Sequence, residues 1–213
     1  MTKECICWLK GLIKGDGYTD QRHVEIYNSS RSILTRSVSD LKRLIDTSRI
    51  KVDIYSEFPK NELLSKWARI LEIPKENITL RKNTSQWKSR TEKIRVRVSS
   101  KETASLLSKK PRHLKEYLGG LFDAEASVDI KGYIEFKQKT NDKGLEIVNN
   151  VSDILKDLSI NSTDVKTKND RNIKRDSYLY VKDIESFQKK IGFVDSEKKH
   201  KLRELISIRK QMN

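Results

Sequence analysis

The chain has 213 residues, with 45 Lys+Arg against 30 Asp+Glu and a formal net charge of +15. That length suits one or two domains. Apolar residues make up 35% of it, equal to the charged fraction, which allows a real but small core and excludes a wholly disordered chain. No stretch approaches the ~18 consecutive apolar residues of a membrane span. Lys10 and Lys14 interrupt the apolar N-terminal run where a secretory signal would be unbroken. The expectation is an intracellular protein, cytoplasmic or in an organelle matrix.

Cysteine occurs only as Cys5 and Cys7, too close for an ordinary disulfide and lacking the second ligand pair of a zinc site. Both read as small apolar packing residues. The positive surplus runs through nearly every segment and points to a polyanionic partner, nucleic acid or an acidic membrane surface.

In chain order, Glu4 to Asp16 has apolar residues at helical spacing (Ile6, Leu9, Leu12, Ile13), with the glycines of GDG placed to end a helix. The alternating RHVEIYNS follows, then an amphipathic helix from about Ile33 to Ile45. Next come strand-like KVDIYSEF, a helix over Asn61 to Leu71, strand-like ITLRK and KIRVRVSS, and a short helix from Lys101 to Lys109 before Pro111. The order then repeats. A helix from His113 to Glu125 leads into SVDI and YIEFKQK around a turn at Lys131-Gly132. A helix from Asn141 to Leu158, strands STDVKTK and SYLYV, and helices at Ile184 to Ile191 and Glu197 to Lys210 complete the chain.

The pattern is a tandem duplication of α+β class, αββαββα in each copy, dividing the chain into residues 1–110 and 111–213. Short connections predict antiparallel pairing, and the first copy has the extra helix Asn61 to Leu71.

The opening helices align at a constant offset of 109 residues, LKGLIKGDG at Leu9 to Gly17 against LGGLFDAEA at Leu118 to Ala126. Small residues recur at i and i+4, Gly11 and Gly15 in one and Gly120 and Ala124 in the other, so each helix has a strip where another backbone approaches closely. A carboxylate follows each strip, Asp16 or Glu125. If the strips pack together, both acids meet at the helix C-termini, where the helix dipoles already place negative charge. A divalent cation relieves that repulsion. Mg²⁺ accepts a few carboxylate oxygens with carbonyls, water and substrate phosphates, and the carbonyls of Gly15 and Ala124 lie at the helix ends where partners are lacking.

The two nonapeptides in step with the duplicated pattern resemble the LAGLIDADG homing endonuclease family in its single-chain, two-motif form, over essentially the whole length. The resemblance implies a central interface of the two motif helices, metal-binding acids at Asp16 and Glu125, and two saddle-shaped antiparallel sheets lying along the DNA major groove. Lys10 and Lys14 depart from the small and acidic residues usual in the first motif, and Ala126 replaces the closing glycine of the second. By position, Asn28 and Gln138 fall where the family places polar residues facing the metals, although Asn28 equally suits a turn or cap. Lys198 or Lys199 is the expected basic residue near the scissile phosphate, with Lys109 or Lys110 its counterpart in the first copy. His23, His113 and His200 form no metal-ligand spacing or triad.

Strand alternation lets Arg22, Lys51, Arg81, Arg95 and Arg97 in the first copy project from one surface, and Lys137, Lys139, Lys166 and Lys168 in the second. Antiparallel ribbons read base edges in the major groove with such residues. At ~3.3 Å per residue and ~3.4 Å per base-pair step, two sheets span on the order of twenty base pairs. The expected activity is Mg²⁺-dependent hydrolysis, Mn²⁺ substituting, of double-stranded DNA at one asymmetric site by a monomer serving intron or intein mobility. By resemblance the cuts lie across the minor groove and leave short 3′ overhangs. An RNA-binding intron maturase, with intron RNA as partner, and a non-cleaving DNA-binding protein are the alternatives.

Overall fold

In the computed structural model the described residues are 3–82, 92–129, 132–139, 141–170 and 173–212. Their first half runs α1 (Lys3–Asp16), β1 (Gly17–Thr19), β2 (His23–Asn28), α2 (Arg31–Lys42), β3 (Ile50–Ser56), α3 (Asn61–Leu71), β4 (Ile78–Lys82), β5 (Lys93–Ser99) and α4 (Lys101–Ser108). The second runs α5 (Leu114–Glu125), β6 (Ala126–Asp129), β7 (Tyr133–Lys139), α6 (Asp142–Asp157), β8 (Lys166–Asp170), β9 (Ile173–Val181), α7 (Ile184–Lys190) and α8 (Ser196–Met212). The helix starts are set by short polar caps: the side chains of Ser100, Asn141 and Asp183 accept from the backbone N–H of Thr103, Gly144 and Ser186.

The α+β class and the duplication are as expected. The first sheet has the order β1-β2-β5-β3-β4 and the second β6-β7-β9-β8. The second half therefore repeats the first, with α3 and β4 as an insertion before β5. That insertion corrects one expectation. β3 and β4 pair in parallel, because α3 carries the chain back across the sheet before β4 begins. All other strand pairs named here are antiparallel. β1, only three residues long, gave no periodic signal, and Gly17 is its first residue rather than a left-handed helix cap. Gly17 has a different reason to be glycine, since a Cβ there would lie 2.6 Å from the Glu25 carbonyl oxygen. The turn expected at Lys131-Gly132 lies partly outside the described residues, and Gly132 has φ +114°.

Two hydrophobic cores form, one from residues between Ile6 and Leu107, the other from residues between Leu118 and Ile206. Between them stand α1 and α5. Every residue from Ile6 to Ile13 is buried, and every residue from Leu118 to Asp123. A helix enclosed on all sides is a core element rather than a surface one. Cys7 is buried as expected, Cys5 partly so.

Candidate active site

The small-residue strips face each other. A Cβ on Gly11 would lie 2.0 Å from the Tyr117 carbonyl oxygen, and one on Gly120 would lie 2.0 Å from the Trp8 carbonyl oxygen. These are the same contact seen from the two pseudo-equivalent helices. One turn further on, a Cβ on Gly15 would meet the Ala124 Cβ at 2.5 Å and the Glu125 Cγ at 2.9 Å. The helices thus run side by side in the same direction, and Asp16 and Glu125 arrive together at their C-terminal ends.

Burial raises the Asp16 carboxyl to about 7, and the charge of Glu125 adds to the rise. Lys198, the Asn28 side chain and Lys93 act the other way. Asn28 Nδ2 donates to Asp16 Oδ2 at 3.0 Å while its Oδ1 accepts from the Ser30 N–H at 2.8 Å. Asn28 is therefore both the acid's partner and a turn residue. Gln138 holds the equivalent place: Gly17 pairs with Ile26 and Ala126 with Phe136, so Asn28 and Gln138 each follow two residues later in their strands. Gln138 Nε2 is buried with no hydrogen-bond partner, an orphaned donor beside the second motif.

Of the two lysines, Lys198 reaches the site and Lys199 does not. Lys198 Nζ donates to the carbonyls of Asp123 at 2.6 Å and Phe122 at 3.2 Å, a cation on the negative end of α5. Burial lowers its pKa, although Asp123, Asp195, Asp16 and Glu125 oppose the fall. Lys199 points into solvent because the N-terminal turn of α8 presents only one of two successive side chains inward. Lys109 and Lys110 line a pocket beside the start of α5, at the other end of the helix pair. In the first half it is Lys93, at the start of β5, that lies near Asp16.

A cavity of about 1120 Å³ opens at this end of the helix pair, lined from the first half by residues including Asp16, Asn28 and Lys93, and from the second by Ala124, Ser127 and Lys198. Behind it is a residue the sequence reasoning passed over. Asp123, 1% exposed, accepts from Trp8 Nε1 at 2.9 Å, the Val194 N–H at 2.9 Å and the Asp195 N–H at 3.0 Å. Asp195 Oδ1 in turn accepts from the Lys198 N–H at 2.8 Å. Asp123 thus fixes the start of α8 and with it Lys198. Its signal was present as the acid inside the second motif, where the first motif has Lys14. Among the described residues no three His, Cys, Asp or Glu side chains gather as a metal cage.

Both sheets turn a charged face away from the core. On the first, Asp53 of β3 is fully buried by three arginines. Arg81 Nε donates to Oδ1 at 2.7 Å, and Arg95 reaches Oδ2 through Nε at 3.0 Å and Nη2 at 2.8 Å. Arg97 Nε lies 2.8 Å from Oδ2, off the angle of a hydrogen bond. Burial acts to raise the Asp53 carboxyl, but these partners prevail and hold it below the usual range. Arg95 also sits beside the rings of Tyr27 and Tyr55, so it is the braced member, while Arg81 and Arg97 stand further out. Lys51 Nζ donates to Asn77 Oδ1 at 2.6 Å. Arg22 is exposed in the β1–β2 turn. On the second sheet Lys137 and Lys166 both pair with Tyr178, and Lys139 and Lys168 both pair with Asp176. Those four lysines form an exposed grid, as the alternation predicted.

Comparison with known proteins agrees with this geometry. Residues 113–192 match the family model of the LAGLIDADG-like domain. No curated protein matches the chain in sequence. Among solved structures, mesophilic variants of the homing endonuclease I-DmoI superpose with a TM-score of 0.56 at 16% identity, covering 89% of this chain and 96% of theirs. The complex of I-DmoI with DNA and Mn gives a TM-score of 0.55 at 18% identity, over 89% and 97%. The complex with DNA and Ca gives 0.54 at 16%, over 87% and 86%. The chain therefore shares the fold of these structures, and residues 113–192 within it match the LAGLIDADG-like domain model.

Proposed function

We propose that the protein is a homing endonuclease that binds double-stranded DNA as a monomer and hydrolyses both strands at one long asymmetric site, with Asp16 and Glu125 as metal ligands. The observation that carries this reading is the meeting of those two acids at the end of the helix pair, beside a cavity lined by Asp16 and by a lysine from each half. The residues suit a hard divalent cation such as Mg²⁺ or Mn²⁺: Asp16 is pushed to about 7 by burial and by the charge of Glu125, against which Lys198 and Lys93 act only in part, and two carboxylates leave the remaining positions to water, phosphate and the carbonyls of Gly15 and Ala124. Such an ion, when bound, activates water and stabilises the leaving oxygen.

The chain's own residues do the rest. The glycine strips hold the two acids in fixed relation, Asn28 orients the Asp16 carboxylate, and Gln138 offers a desolvated N–H at the position in β7 that Asn28 holds in β2. Lys198, held over the last carbonyls of α5, places positive charge where a scissile phosphate would lie. The arginine cluster on one sheet and the lysine grid on the other supply phosphate and base contacts to different half-sites. The similar structures include DNA complexes of I-DmoI with Mn and Ca, which supports this reading. The maturase alternative and intron RNA find no support in the comparisons, and intron or intein mobility follows only from the class. Incubating the protein and Mg²⁺ with a plasmid library carrying randomised ~20 bp inserts tests the proposal. Linearised plasmids sharing one asymmetric sequence are expected, and a library left uncut in both Mg²⁺ and Mn²⁺ would overturn it.

A further inference from the structure

The outward face of the first sheet carries a carboxylate that water does not reach. Asp53 of β3 alternates with Val52 and Ile54, which enter the core, and Arg95 and Arg97 of β5 alternate with Ile94, Val96 and Val98, which also do. Asp53 therefore stands on the side turned away from the core, yet it is 0% exposed. The three arginines that cover it are not equivalent. Arg95 has every guanidinium nitrogen engaged, Nε and Nη2 with Asp53 at 3.0 and 2.8 Å and Nη1 with Glu25 Oε1 at 3.5 Å, and its side chain is 19% exposed. Arg81 and Arg97 meet Asp53 through Nε, at 2.7 and 2.8 Å, and their side chains are 44% and 37% exposed.

A guanidinium that holds its acid through Nε keeps the Nη1/Nη2 edge, at the tip of the side chain, for a second partner. That edge matches the O6 and N7 acceptors of guanine in the major groove. The clamp matters because a long side chain already anchored loses less rotamer freedom when it meets a base, and because a fixed plane suits a paired acceptor over a single one. Three guanidinium groups against Asp53 and Glu25 leave the patch cationic, as approach to phosphates requires. Lys137, Lys139, Lys166 and Lys168 of the second sheet offer compact single charges without that fork. Arg97 pairs with Lys51 and Arg81 with Tyr55, on either side of Asp53 along β3. Because Arg81 approaches Oδ1 and Arg97 Oδ2 of one carboxylate, their guanidinium groups lie one or two base-pair steps apart, at ~3.4 Å per step.

We propose that Arg81 and Arg97 each read a guanine, one or two steps apart in the half-site under the first sheet, with Asp53 and Arg95 as the positioning pair that sets their planes. The inference rests on the endonuclease reading, which turns this sheet toward DNA, and adds the base that the sheet selects.

The test is selection of randomised ~20 bp duplexes by the full chain without metal, for wild type, Arg81→Lys, Arg97→Lys and Asp53→Asn, followed by gel-shift titration of the enriched sequence and its single-base variants. Wild type should enrich two guanines one or two steps apart in one half-site. Arg81→Lys should relax one of them and Arg97→Lys the other, each losing about tenfold or more of the preference for guanine over adenine while the rest of the site is selected as before. Asp53→Asn should relax both positions at once. The lysine variants keep their charge, so their affinity for non-specific DNA and its salt dependence should match wild type, and thermal melts should show them folded. Contact with phosphate alone predicts lysine variants that enrich the same bases as wild type, and that result would overturn the proposal. A wild-type site without the guanine pair would overturn it too while leaving the endonuclease reading standing. Failure of wild type to enrich any sequence would overturn both.

Discussion

Trp8 Nε1 donates to Asp123 Oδ2 at 2.9 Å, joining residues 115 positions apart across the interface of the two halves. The same carboxylate takes the Val194 and Asp195 N–H groups, so one buried side chain ties α1, α5 and the start of α8 together. Asp123→Ala strands all three donors at once. A loss of about 3 kcal/mol or more is expected in urea unfolding, since each unsatisfied buried group costs ~1–3 kcal/mol. Asp123→Asn keeps one acceptor oxygen and should cost less.

The helix interface offers a controlled comparison on three glycines. Gly11→Ala and Gly120→Ala each drive a methyl to 2.0 Å from a backbone carbonyl oxygen, which has no rotamer to escape into. Overpacking typically costs about 1–3 kcal/mol, and a backbone obstacle belongs at or above the top of that range. Gly119→Ala meets only the Trp8 Cδ1 at 3.6 Å and the Ile191 Cγ2 at 3.8 Å, ordinary contacts. It should be neutral or gain up to about 1 kcal/mol from helix propensity. Melting temperatures of the three variants check the ordering.

Much of this was legible in the sequence because it rests on periodicity and local chemistry. The motif helices, their glycine strips and the acids that follow them could be read from spacing alone. What stayed hidden depended on the path of the chain in space. The parallel β3–β4 pair needed knowledge of where α3 carries the chain. Asp53 gave no signal within KVDIYSEF, yet it is fully buried, with Arg95 of the neighbouring strand directly across from it in register. Lys198 and Lys199 were equivalent by composition, and only the phase of α8 separates them. Lys93 and Asp123 act through residues far away along the chain.

Asp53 is expected to matter for recognition as well as for stability. Removing a partner from a buried ion pair usually costs about 3–5 kcal/mol, and Asp53→Ala should approach that range. Asp53→Asn, milder, frees Arg81 and Arg97 and adds a net positive charge. In selection from randomised duplexes it should lose base preference in one half-site only, while affinity for non-specific DNA rises. Equal loss in both half-sites would indicate general unfolding instead.

Asp16 gives the site a pH signature. Its ordinary value is 3.8 and its folded value about 7. With the folded value raised, the stability it contributes without metal is full below the ordinary value and is lost as pH rises through about 7. Metal-free protein should therefore melt lower at about pH 8 than at about pH 5 through this group, and Asp16→Asn should flatten that difference. Mg²⁺, which binds the ionised form, should raise the melting temperature markedly at the higher pH and little at the lower.

The central claim is that Asp16 and Glu125 hold metal for the chemistry rather than the fold together. It is tested most directly by titrating wild type, Asp16→Asn and Glu125→Gln against the selected DNA in a gel shift without metal, and by assaying the same samples for cleavage with Mg²⁺. Both variants should bind as tightly as wild type or more so, because each loses a carboxylate facing the phosphate backbone. Both should fail to make the double-strand break. Full double-strand cleavage by either variant would contradict the assignment of that acid.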